Sequence, residues 1–203
     1  MISNDPAPGA VSIALLIAQL KNTDPQERES AAGEIFKQGR AVAQAAIAPW
    51  LKDAQLRDCL RIADAGFPEM VVGIAVDPES FEGILAAVGM PRLADVPPDQ
   101  DAKEFELEFP QGVRLDVLTT RDPGGPGAIA RYLQKFGAGI QQIEILSRDV
   151  ERTTQVLRAN FRLDPIYPAT RAGADGTLVN FFLVPSESGK KVLIEIVEER
   201  PHH

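Results

Sequence analysis

Apolar residues recur at two spacings along this chain, helical before residue 67 and in short alternating runs after it. Val11 to Leu20 carries apolar residues at helical spacing. "NTDPQERESAAGEIFKQG" then offers Thr23 or Asp24 as an N-cap, Pro25 at the first helical position, acidic residues in the first turn and Gly39 as a stop. "AVAQAAIAPW" and "DAQLRDCLRIAD" predict two more short helices, with Pro49 between them and Asp53 as a cap. Residues 1–66 thus read as a small all-α extension.

From Phe67 the period changes. "MVVGIAV" predicts a strand, "PESFEGILAAVGM" a helix ended by Gly89, and "DVPPDQDAK" a loop. "EFELEF" and "VRLDVLTT" alternate cleanly on either side of the turn "PQG". "RDPGGPG", with two prolines and three glycines, reads as a linker over residues 121–127. The helix "AIARYLQKF" follows, then the strand "IQQIEIL" and the helix opened by "SRDV". The strands "PIYPAT", "LVNFFLVP" and "VLIEIVEE" come last, separated by the turn "AGADG" and a lysine-bearing turn. Each half runs strand, helix, three strands, which defines a module at 67–120 and another at 128–203. Such a tandem βαβββ repeat excludes a doubly wound parallel sheet, in which strand and helix alternate throughout. It predicts an α+β protein with two curled mixed sheets around a cavity.

Composition narrows the function classes. The 203 residues are 44% hydrophobic and 25% charged, as in ordinary globular proteins. A net charge of −8 argues against a nucleic-acid surface, because no basic stripe answers the phosphates. Lys190 and Lys191 read as a solvated turn rather than an anion clamp. No apolar run is long enough for a membrane span and no leader pattern opens the chain, so cytoplasmic is the default expectation. The lone Cys59 fits a reducing compartment and reads as a buried structural thiol. The only histidines, His202 and His203, end the chain and read as a tag remnant or a tail, so imidazole bases and histidine zinc sites inside the fold are excluded.

Strand parity carries the candidate site. Val72, Ile74, Val113, Leu115, Val117, Ile143, Ile145, Val192, Ile194 and Ile196 form the helix-covered set. The other parity leaves Val71, Asp116, Gln142 and Glu195 at matching depth on four strands. If the sheets curl toward one another, these four converge. Arg114 shares a face with Asp116 and offers an internal cation for nearby carboxylates. Tyr167 and Phe182 are core or cavity wall.

The pieces "SRDVERTTQVL", "RAGADGTLVNFFLVP", "GKKVLIEIVEE" and "GPGAIARYLQKFGAGIQQI" resemble the vicinal oxygen chelate, or glyoxalase and bleomycin-resistance, superfamily, and most of all its methylmalonyl-CoA epimerases. The likeness covers about residues 67 to 200, and the helical extension weakly resembles one unit of a HEAT-type repeat. By this resemblance the metal ligands come from the four positions above. Val71 stands at a histidine position, as does Gln142, Asp116 replaces a Glu or Gln, and Glu195 keeps the family glutamate. Asp116, Gln142 and Glu195 leave three oxygen donors, a set suited to Mg or Mn if any cation binds. Glu106, Glu108 and Glu144 are candidate bases. "RAGADG", with Arg171, Gly173 and Gly176, either cradles an anion or forms a plain hairpin turn.

The resemblance implies a divergent glyoxalase-fold protein with a degraded metal site and no cofactor, binding a small molecule or serving structure. The alternative is an epimerase-like isomerase or lyase acting on an acyl-CoA or 2-oxo acid; sequestration of a drug or metabolite is a third reading. A homodimer is expected by resemblance.

Overall fold

The computed structural model describes residues 11–63, 66–186 and 191–199; Lys190, His202 and His203 lie outside them. The protein is α+β, and its chain divides into two compact units. One takes the described residues of 11–40 and 71–141, the other those of 41–70 and 142–199.

The first unit holds helix α1 (Ile13–Gln19), the opening turns of α2 (Pro25–Ile47), strand β1 (Met70–Ala75), α4 (Pro78–Ala87), β2 (Ala102–Phe109), β3 (Val113–Thr120) and α5 (Ala128–Phe136). Its strands lie in the order β2-β3-β1. β1 runs parallel to β3, with Ile74 opposite Val117, and β2 runs antiparallel, with Phe105 opposite Val117. Phe81 of α4 meets Phe105 edge to face at 4.9 Å, so α4 covers the face of Ile74, Phe105 and Val117. Asp77 caps α4, accepting from the Ser80 N–H at 2.9 Å, with Pro78 in the first turn.

The second unit holds the end of α2, α3 (Ala54–Cys59), most of β4 (Gly139–Leu146), α6 (Val150–Phe161), β5 (Arg171–Ala172), β6 (Leu178–Pro185) and β7 (Lys191–Glu198). The order β4-β7-β6-β5 repeats the first unit's plan, with β4 and β7 parallel and β6 antiparallel to β7. Ile143, Ile145, Ile194, Ile196 and Phe182 are fully buried on one face. Asp149 opens α6 through the Arg152 N–H at 2.8 Å, and Asp53 opens α3 through that of Leu56 at 3.0 Å. Cys59 is a buried free thiol.

Four local expectations change. Gly39 does not end a helix: α2 runs on through the "AVAQAAI" segment to Ile47. A Cβ at Gly39 would stand 2.5 Å from Cγ2 of Val72, so the glycine serves the close approach of helix and strand. "PIYPAT" is not a strand. Pro165 and Pro168 have no N–H to give a ladder, Ile166 alone donates to the Phe181 carbonyl at 2.7 Å, and pairing begins at Arg171. The first module forms no strand between α4 and β2, where Pro91, Pro97 and Pro98 lie and Ala94 makes a single backbone bond to the Glu104 carbonyl at 2.9 Å. "RDPGGPG" is an ordered turn inside the first unit: Asp122 accepts from the Gly124 N–H at 3.1 Å, and Gln134 of α5 donates to the Pro123 carbonyl at 2.8 Å.

Candidate functional site

Parity places the candidate residues as the sequence implied, on the strand faces opposite the helices. In the second unit, Glu144 of β4 and Glu195 of β7 are register partners, so two carboxylates stand side by side on adjacent strands. Like charges so placed repel, and a donor between them lowers that cost. Gln142, two residues before Glu144 and on its face, supplies one. Its Nε2 donates to Glu195 Oε2 at 2.7 Å and to Glu144 Oε1 at 3.3 Å. Gln142 and Glu195 are each 8% exposed, while Glu144 is half-buried. A hydrogen bond to a buried carboxylate contributes about 1.5–3 kcal/mol.

Phe181 of β6 is the register partner of Glu195 and Leu183 that of Leu193, so these side chains share the face of the polar cluster. The Tyr167 ring meets Phe181 edge to face at 5.9 Å, and the Arg171 guanidinium lies 4.4 Å above the Tyr167 ring. Tyr167 is therefore part of a wall on this face, whereas Phe182 is buried in the core on the other. The "RAGADG" segment forms a tight turn. Gly173 donates its N–H to the Thr177 carbonyl at 3.0 Å, Asp175 and Gly176 take positive φ, and a Cβ at Gly173 would stand 2.5 Å from Thr177 Oγ1.

In the first unit, Asp116 is 8% exposed and sits in register with Gly73 of β1 and Glu106 of β2. Val71 is buried and apolar. The Arg114 guanidinium grips Glu106 through two nitrogens, Nη2 at 3.1 Å from Oε2, and lies 3.6 Å from Glu108. The internal cation therefore has a carboxylate partner on the neighbouring strand. A groove of about 480 Å³ between α2 and the β2–β3 turn, lined by Gln26, Glu29, Gly33 and Gln111, takes in none of the candidate site residues.

A divalent cation is what the fold family implies, and the donors as arranged do not fit one. The Gln142 amide turns N–H bonds, not its oxygen, toward both glutamates. Val71 has no lone pair, and among the described residues no cluster of three His, Cys, Asp or Glu is suited to a metal. The amide hydrogens supply positive charge where the cation of a metal-dependent relative would.

The fold that carries these strands is that of the vicinal oxygen chelate, or glyoxalase, superfamily. Its structural neighbours are methylmalonyl-CoA epimerases. The enzyme from Mycobacterium tuberculosis is 28% identical over 64% of this chain and 87% of its own, at a TM-score of 0.52. A hypothetical protein from Bacillus halodurans is 26% identical over 66% of this chain and 94% of its own, at 0.53. A Streptomyces coelicolor methylmalonyl-CoA epimerase in complex with 2-nitronate-propionyl-CoA, 19% identical over 66% of this chain and 98% of its own, shares the fold at 0.52. No family model and no curated protein matches the sequence. No helix among the described residues is long and apolar enough to cross a membrane.

Sequence reasoning found the members of the polar cluster but not their pairing, and it missed Phe181 and Leu183 as its neighbours. The odd-numbered parity of Val179, Phe181 and Leu183 was the available signal.

Proposed function

We propose that the chain is an epimerase-like isomerase that moves a proton at the carbon beside the carbonyl of an acyl-CoA or 2-oxo acid. The observation that carries this reading is the Gln142–Glu195–Glu144 cluster, on a fold whose neighbours include methylmalonyl-CoA epimerases. Glu195, buried and at 2.7 Å, holds the Gln142 amide in place and is a positioning residue. Glu144, half-buried and at the longer 3.3 Å, is the base that takes the α-proton and returns it to the other face. The Gln142 N–H turns from Glu144 to the carbonyl oxygen as that oxygen gains charge, an oxyanion donor in place of a Lewis acid.

A second reading rests on the same hydrogen bonds. If the amide stays locked between the two glutamates, the face holds a small molecule without chemistry. Methylmalonyl-CoA incubated in D2O, with chelator or with added Mg2+ or Mn2+, separates the two. Deuterium uptake at the α-carbon, reduced about 10²–10⁴-fold by Glu144→Gln, is the expected result. Saturable binding without uptake favours the second reading, and absence of binding to this ester and to a panel of 2-oxo acids overturns both.

A further inference from the structure

The polar cluster occupies one end of a face whose other end is chemically different. Next to Glu195 stands Phe181, then Tyr167 edge-on to Phe181, then Arg171 stacked on Tyr167. Leu183 beside them is 41% exposed and Tyr167 36%, although both belong to the apolar class that folding normally buries. Two strand spacings, about 10 Å, separate β7 from β5. The row therefore runs from two carboxylates, across an aromatic and aliphatic floor, to one guanidinium.

We propose that this face takes a flat organic anion about 10 Å long, its apolar body on Tyr167 and Phe181 and its negative end at Arg171. Charge fixes the orientation. An anionic group at the Glu144 and Glu195 end meets like charge, whereas a hydroxyl there finds acceptors. At the other end, stacking on Tyr167 fixes the guanidinium plane while leaving its N–H edge to pair with a carboxylate. The turn after Arg171 spends the Gly173 N–H on the Thr177 carbonyl, so the side chain rather than that backbone donor meets the anion. This specificity rests on reading the face as a small-molecule site, and it names the ligand class that site selects.

The test uses the full chain and two fluorescent probes, 6-hydroxy-2-naphthoate and uncharged 2-naphthol, titrated by fluorescence anisotropy. The naphthoate is expected to bind about tenfold more tightly, since a charge-assisted bond adds roughly 1.5 kcal/mol or more. Arg171→Gln should bring the two affinities together, Arg171→Lys should keep part of the preference, and Tyr167→Ala should weaken both probes. Circular dichroism of each variant confirms its fold. Equal binding of the two probes, failure of both to bind, or a preference that survives Arg171→Gln overturns the proposal. Deuterium uptake by methylmalonyl-CoA without probe discrimination keeps the isomerase reading and removes only this inference. Discrimination without uptake does the reverse.

Discussion

Gly39 lies within a 23-residue helix, where glycine ordinarily costs stability relative to alanine. Its neighbour decides the matter here: Val72 presents Cγ2 and Cγ1 at 2.5 and 2.8 Å from where a Cβ would stand. Val72 is fully buried and β-branched, so it has no spare rotamer to move into. Gly39→Ala is therefore expected to destabilise the protein by about 1–3 kcal/mol, the range for overpacking a core. Gly33, six positions earlier in the same helix, has no atom within 4 Å of its Cβ position. Gly33→Ala should stabilise by about 0.5–1 kcal/mol. Urea unfolding of the two variants checks the pair, and shifts of the same sign would show that helix propensity, not the contact with Val72, governs both. In the sequence the two glycines look alike, because what separates them lies 33 residues away on a strand. The Gln142–Glu195 bond was hidden in the same way, since parity assigns a face but not the rotamer that brings two side chains to 2.7 Å.

At the scale of elements, local chemistry was legible wherever it was self-contained. Asp53 and Asp149 cap the helices they precede, and "IQQIEIL" and "VLIEIV" bury the parity that their alternation implied. "PIYPAT" misled because its composition suits a strand while Pro165 and Pro168 deny the ladder two donors. The cap of α4 gives a prediction at this scale. Partial burial pushes the Asp77 carboxyl up, but the Ser80 N–H and hydroxyl and the Lys21 charge together outweigh it, and the group is held below its ordinary 3.8. A folded-state value below the unfolded one adds stability that is fully present above the unfolded value. That contribution fades as pH falls through the folded value. Asp77→Ala should thus cost about 1 kcal/mol at neutral pH. The cost should shrink as pH falls below 3.8, which chemical denaturation at pH 7 and in steps below pH 4 would measure. A cost that stays constant with pH would assign it to helix packing rather than to the ionised cap.

At the scale of the whole chain, the helices before residue 67 are shared between the compact units rather than gathered into one of their own. Residues 11–40 go with the first module and residues 41–63 with most of the second. Trp50, Leu56 and Leu60 are at most 1% exposed. In that unit the Arg148 N–H donates to the Cys59 carbonyl at 2.8 Å, its guanidinium to the Leu60 carbonyl, and Asn160 of α6 to Asp53 at 2.9 Å. In the other, α2 reaches Val72 through Gly39. A chain beginning at residue 67 would lose these partners and expose the apolar faces they cover, each large side chain forfeiting about 1.5–3 kcal/mol of burial. Total stabilities are about 5–15 kcal/mol, so a few such losses suffice to remove cooperative folding. The truncated chain is expected to bind a hydrophobic dye and to unfold over a broad range of urea, in contrast to the full chain. A sharp transition in the truncated protein, with deuterium uptake at the α-carbon intact, would instead show the extension to be an independent domain. Sequence periodicity marked where the helices end and the strands begin, but that change of period is a local property. Which module each helix completes is set by contacts such as Gly39 with Val72 and Asp53 with Asn160, and those depend on the folded chain.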